Sequence, residues 1–98
     1  MEFSKEQNGG KLTICLKGRL DTITAPELEA ELNKVLPAAD ELVFDFTNLE
    51  YISSAGLRVL LSAHKTMMPK GGMKVTHVNE IVQEVFEVTG FCDILNIE

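Results

Sequence analysis

The sequence predicts one α/β domain, a small mixed β-sheet with helices packed mainly on one face. Three observations predict it. Segments whose apolar residues recur at every second position alternate with segments where they recur every three to four, in the order β β α β α β α β. The first two strand-like segments meet at Asn8-Gly9-Gly10, a hairpin signal, so the sheet starts antiparallel. From there on a helix separates each strand from the next, which makes the later strands parallel, and right-handed crossovers then place those helices on a face. A length of 98 residues fits a single domain with one modest core.

Each element has a local reason. Lys11 to Lys17 alternates, with Leu12, Ile14 and Leu16 on one side, and it pairs through the turn with a first strand near Glu2 to Gln7. Thr24 with Glu27 three residues later fits a capping box, and Pro26 falls in a first turn where its missing N–H costs nothing. Leu28, Leu32, Val35 and Leu36 continue at helical spacing, Glu27, Glu29 and Glu31 face water, and Pro37 ends the helix. Leu42 to Phe46 is apolar on both faces, as in a parallel strand covered by helices, apart from its one charge, Asp45. A second helix starts near Ser54, carries Leu57, Leu60, Leu61 and His64, and stops before Pro69-Lys70-Gly71-Gly72. Met73 to Val78 alternates again. Asn79 caps a third helix with Ile81, Val82, Val85 and Phe86 that ends at Gly90, and Cys92 to Ile97 is a short last edge strand.

Composition narrows function. Hydrophobic residues make up 45% and charged residues 24%, the balance of a folded globule rather than a disordered chain. No apolar run approaches the roughly eighteen residues of a membrane span, and Met1-Glu2-Phe3-Ser4-Lys5-Glu6 lacks the basic and apolar regions of a signal peptide, so no membrane insertion and a cytoplasmic location are expected. The net charge is −6 and Lys and Arg nowhere cluster, which disfavours direct nucleic-acid binding. Cys15 and Cys92 read as free thiols. With His64 and His77 they lack the close ligand pairs of a zinc knuckle, so no metal and no cofactor is expected.

In sheets of this kind the working surface lies at the carboxyl ends of the parallel strands. Three segments reach it: Gly18-Arg19-Leu20-Asp21-Thr22, Asp45 with Thr47-Asn48, and Ser53-Ser54-Ala55-Gly56. A serine where a helix starts is most often a cap. Asp21 reads as a turn carboxylate, and Asp45 and Asn48 as residues ordering the loop toward Ser54, because a charge ending an apolar strand needs N–H partners. Arg58, one turn into the helix, is placed either to form a salt bridge or to meet a partner. Met67, Met68 and Met73 read as core fillers.

Gly18-Arg19-Leu20-Asp21, Leu42-Val43-Phe44-Asp45-Phe46 and the run from Tyr51 through Ser53-Ser54-Ala55-Gly56-Leu57-Arg58 to Leu61 together resemble the STAS domain of bacterial anti-sigma factor antagonists. The Gly71-Gly72 turn, Val88-Thr89-Gly90-Phe91 and Ile94-Leu95 are similar to that family too, so the resemblance spans nearly the whole chain. It implies a serine at the start of the second helix that is phosphorylated by the partner, a serine-kinase anti-sigma factor with a histidine-kinase-like ATPase fold, and reset by a serine phosphatase. Alignment on Gly56-Leu57 puts that acceptor at Ser54, with Ser53, which stands where the family often has an acidic residue, as the alternative; Ala55 replaces a frequent second hydroxyl. The resemblance also raises Asp21 as a residue beside the site, and a partner surface is expected around Asp21, Thr22, Ser53, Ser54 and Arg58. Two other readings fit a STAS subunit: a partner-switching complex without a sigma factor, or a lipid-transport ATPase. Catalysis by the chain itself is not expected, since no serine stands in a recognisable nucleophile pattern with His and acid, no Gly-rich phosphate loop occurs, and His64 and His77 read as partly buried fillers.

Overall fold

The computed structural model describes residues 1–98 and contains the eight elements in the expected order. They are β1 (Glu2–Asn8), β2 (Lys11–Leu20), α1 (Ala25–Val35), β3 (Glu41–Ile52), α2 (Ser54–Met67), β4 (Met73–Thr76), α3 (Glu80–Thr89) and β5 (Asn96–Ile97). Strand order in the sheet equals chain order, with β1–β2 antiparallel and every later pair parallel. Because each crossover steps the same way across the sheet, one handedness places all three helices on one face. Burial agrees. Leu12, Ile14, Leu16 and Leu20 of β2, Leu42, Phe44 and Phe46 of β3, and Met73 and Val75 of β4 are buried beneath the helices, whereas Thr13, Cys15, Val43 and Asp45 on the opposite face are only half-buried. The strand around Phe44 is therefore covered on one side, not on both as its composition predicts.

The core is a single cluster of 24 hydrophobic residues with no buried polar or charged side chain. Phe44, Phe46 and Phe86 form its centre, with ring centroids 5.8 and 6.5 Å apart in succession. From α1 it takes Leu28 and Leu32, from α2 Leu57, Leu60 and Met67, and from α3 Val82 and Phe86.

β2 and β3 outrun their predicted ends at Lys17 and Phe46. Between the pairs Cys15↔Asp45 and Lys17↔Asn48, β3 contributes two residues against one of β2; between Gly18↔Leu49 and Arg19↔Tyr51 it contributes a further one. These β-bulges change the spacing of buried residues from two to three, giving Phe44, Phe46, Leu49 and Ile52. Strict alternation stops at Phe46, so period-two reading ends there while pairing continues.

Other expectations are corrected. Thr24 precedes α1 with helical backbone angles and makes no cap bond, so the Thr24–Glu27 capping box is absent; its hydroxyl is turned to the preceding turn. The segment expected as a strand from Cys92 begins as a 3-10 turn, Phe91–Asp93, with Leu95 N–H bonded to Phe91 O at 2.8 Å, and β5 is confined to Asn96–Ile97. Met68 is 64% exposed because it lies just past the end of α2, while Met67 and Met73 fill the core as expected. His77 is exposed with a left-handed φ of 59°, at the exit of β4, rather than a filler. Lys70 was not singled out by pattern: its Nζ donates to the carbonyls of Leu36, Pro37 and Ala39 at 3.0 to 3.2 Å, tying the exit of α1 to the turn before β4.

Candidate functional site

The site forms where β2 and β3 end side by side. Ser53 N–H donates to Leu20 O at 2.8 Å, so the first residue after β3 is fastened to the last residue of β2. Asp21 follows Leu20 directly, and α2 follows Ser53; one backbone hydrogen bond therefore joins the loop entering α1 to the start of α2. Gly56 makes the approach possible. A Cβ there would stand 2.7 Å from Leu20 Cγ and 2.9 Å from Ile52 Cγ1, closer than side chains tolerate.

The two serines divide their tasks. Ser53 is the N-cap: its backbone is extended, and its hydroxyl accepts from Gly56 N–H at 3.3 Å while its carbonyl accepts from Leu57 N–H at 2.9 Å. Ser54 is the first helical residue and is exposed. Its own N–H and that of Ala55 belong to the free donors of a helix start, where the macrodipole favours negative charge. Arg58, exposed and four residues on, shares the Ser54 side of the helix.

Across the Leu20–Ser53 bond, the Asp21 turn is built by side chains. Asp21 Oδ1 accepts from Ile23 N–H at 3.0 Å and Thr24 N–H at 3.1 Å. Thr24 Oγ1 accepts from Asp21 N–H at 2.9 Å and donates to Arg19 O at 2.8 Å. The Asp21 carboxyl is held below the ordinary carboxylate value by the Thr24 N–H above all, with Ile23 N–H, the Thr24 hydroxyl and the Arg19 charge adding to it against a desolvation cost. Thr22 and Ile23 project from this turn into solvent. Arg19 is stacked over the Tyr51 ring at 4.5 Å, bracing the same strand ends.

Asp21, Thr22, Ser53, Ser54 and Arg58 thus lie on contiguous pieces of backbone. Asp45 and Asn48 lie apart from them. Asp45 is inside β3, opposite Cys15 and Thr76, and orders a bulge rather than a loop: its Oδ1 accepts from Thr47 Oγ1 at 2.5 Å and Thr47 N–H at 2.9 Å. Those bonds, the hydroxyl first, and His77 Nδ1 at 3.4 Å hold its carboxyl below the ordinary value despite desolvation. Asn48 is exposed opposite Lys17 and borders a cavity of about 430 Å³, which lies on the uncovered sheet face with Glu2, Phe3, Ser4, Cys15, Leu16 and Lys17. That cavity touches none of the residues around Ser54. Ordering of the bulged segment falls instead to Asn79, missed at that role in the sequence: its Nδ2 donates to Leu49 O at 2.8 Å while its Oδ1 caps α3 through Val82 N–H. Both cysteines are free and half-buried, and no helix is long and apolar enough to cross a membrane.

Comparison with known proteins matches residues 2–98 to the STAS domain model. The chain is 36% identical over 99 residues to BtrV of Bordetella bronchiseptica, named as an anti-sigma factor antagonist, covering 99% of this chain and 85% of that one. It is 28% identical to the anti-sigma F factor antagonist of Paenibacillus polymyxa, covering 99% and 86%. Among solved structures, an anti-sigma factor antagonist from Mycobacterium paratuberculosis superposes with a TM-score of 0.88 at 23% identity, covering 98% of this chain and 83% of that one. SpoIIAA in its unphosphorylated form superposes with a TM-score of 0.84 at 19% identity over 99% and 88%, and in its phosphorylated form with 0.76 at 18% over 99% and 91%.

Proposed function

This chain belongs to the STAS-domain family of anti-sigma factor antagonists, and from that premise we propose that it is a phosphorylation-controlled binding module for a serine-kinase anti-sigma factor. Unphosphorylated, it binds the kinase, whose ATPase domain is of the histidine-kinase type, and so frees the sigma factor. Phosphorylated on Ser54, it lets go, and a serine phosphatase returns it to the binding form. In this cycle the chain is ligand and substrate rather than catalyst.

The observation that carries the reading is the division between Ser53 and Ser54. The Ser53 hydroxyl is committed to the cap and half-buried, whereas Ser54 presents its hydroxyl at an exposed helix start. A phosphate on Ser54 adds a charge of about −1.5 to −2 beside free N–H donors, which the fold accommodates, while a partner lying on the same surface meets repulsion and a desolvation cost. SpoIIAA, which shares the fold, is known in both unphosphorylated and phosphorylated forms. Thr22 and Arg58 flank the acceptor and complete the contact surface in this reading.

The test is intact-mass analysis after incubation with ATP and the serine-kinase anti-sigma factors encoded in the source genome. Wild type gains one phosphate and Ser53→Ala still gains it, while Ser54→Ala gains none but stays folded and bound. Phosphate on Ser54→Ala that disappears in Ser53→Ala would move the acceptor by one residue. A wild-type protein that none of these kinases binds or modifies would remove the reading altogether.

A further inference from the structure

Ile23 is the most exposed large apolar side chain in the molecule, at 81%. A single exposed isoleucine on a loose loop requires no explanation. The backbone beneath this one, however, is held by hydrogen bonds at Arg19, Leu20, Asp21, Ile23, Thr24 and Ala25. Asp21 Oδ1 holds the N–H of Ile23 itself, Thr24 is held through its N–H and its hydroxyl, and Ala25 N–H closes on Asp21 O at 2.8 Å. The turn keeps the side chain out of the core cluster, which ends at Ala25 and Leu28 on that side. The other exposed apolar residues, Met68, Ile81, Val88 and Ile94, lie beyond the end of α2, on α3 or after it. Ile23 alone lies in the loop that leaves β2, three residues past Leu20, whose carbonyl holds the Ser53 N–H.

We propose that Ile23 is an apolar anchor that enters a pocket on the anti-sigma factor, and that Asp21 is a positioning residue that presents it rather than a contact in its own right. This rests on the functional reading above and sharpens it. A side chain carried on a backbone that is already held loses less freedom on docking than one on a loose loop, so more of the burial of its surface counts toward affinity. The Asp21 carboxylate is already engaged within the turn, where its Oδ1 holds two backbone N–H groups, those of Ile23 and Thr24. Its neighbourhood also explains how the phosphate acts on the anchor: a charge at Ser54 disturbs docking on the adjoining backbone while the anchor stays where it was.

Calorimetric titration against the recombinant serine-kinase anti-sigma factors of the source genome tests both parts. Ile23→Ala is expected to weaken binding about tenfold or more and Ile23→Asp further, with Ile23→Leu close to wild type and all three unfolding in urea near the wild-type midpoint. A kinase that binds wild type and Ile23→Ala alike overturns the anchor; a kinase set that does not bind wild type overturns the functional reading and the anchor with it. A double-mutant cycle tests the positioning role. Asp21→Ala should weaken binding in the wild-type background and have little effect in Ile23→Ala, whereas losses that simply multiply would make Asp21 an independent contact.

Discussion

Asp21 and Asp45 make similar bonds, but they shape the chain differently. Asp45 follows the apolar run Leu42-Val43-Phe44 and Asp21 follows Gly18-Arg19-Leu20, yet each carboxylate accepts from the N–H two residues on, at 3.0 Å from Ile23 and 2.9 Å from Thr47, with a threonine hydroxyl as a further partner. At Asp21 the strand has ended and α1 follows within a few residues. At Asp45 the strand bulges and continues to Ile52. The carboxylate does not decide between these outcomes. What differs is the neighbour: β2 still offers Lys17 to Leu20 for pairing beyond Asp45, whereas beyond Leu20 β3 has reached Ile52 and turns into α2, and Pro26 favours a helix start. One local signal therefore yields a rigid solvent-facing turn beside Ser54 in one place and a rigid kink within the sheet in the other.

If the bulge is held by packing beneath it as well as by Asp45, the largest effect should come from the core side. Phe46 is fully buried between Phe44 and Phe86, directly after Asp45. Phe46→Ala is expected to lower unfolding stability in urea by about 3 to 5 kcal/mol. A loss below about 1 kcal/mol would mean that the surrounding core collapses into the space and that the carboxylate alone sustains the kink.

The complementary perturbation acts on the Asp21 side. At Gly56 an added methyl would meet Leu20 and Ile52 at under 3 Å, so Gly56→Ala must push α2 away from the strand ends and is expected to cost about 1 to 3 kcal/mol. It should also slow the phosphorylation proposed for Ser54 at matched kinase concentration, because it strains the Leu20–Ser53 link that aligns the two loops. Equal phosphorylation rates in wild type and in the folded variant would show that acceptor presentation does not depend on that link.

The contrast also explains how much could be read in advance. The element order, the antiparallel start and the helices on one face follow from periodicity and from the Asn8-Gly9-Gly10 and Gly71-Gly72 punctuation, because these depend on local chain chemistry. The extra length of β2 and β3 does not, since a bulge hides a strand by spoiling its alternation, and only the partner strand reveals that pairing goes on. At the site, resemblance to a motif singles out Ser54, and the preference of helix caps for serine points to a capping serine at the start of α2 without choosing between Ser53 and Ser54; the choice of Ser53 needs its hydrogen bond to Gly56 N–H. Ile23 was not legible, for an isoleucine between Thr22 and Thr24 carries no sign of facing solvent until the Asp21 turn is seen. Thr24 misled for the same reason: its spacing to Glu27 suits a capping box, yet Arg19 O, which is distant by pattern but adjacent in the turn, takes its hydroxyl.

The smallest and most discriminating effect is one of pH. Both carboxyls are held below the ordinary value of 3.8, Asp21 chiefly by Thr24 N–H and Asp45 chiefly by the Thr47 hydroxyl. A group whose folded pKa is depressed contributes stability that is complete above its unfolded value and is lost as pH falls through the folded one, so both structures should persist at neutral pH and loosen only below 3.8. Amide resonances separate the two: Ile23 and Thr24 report Asp21, Thr47 reports Asp45, and each set should move with a midpoint below 3.8. In Asp21→Asn the low-pH movement of Ile23 and Thr24 should vanish while that of Thr47 remains, and Asp45→Asn should do the reverse. A midpoint at or above 3.8 for Ile23 would mean that the turn is not gripped by the ionised carboxylate, and the rigidity that sets it apart from an ordinary exposed loop would have to come from Thr24 alone.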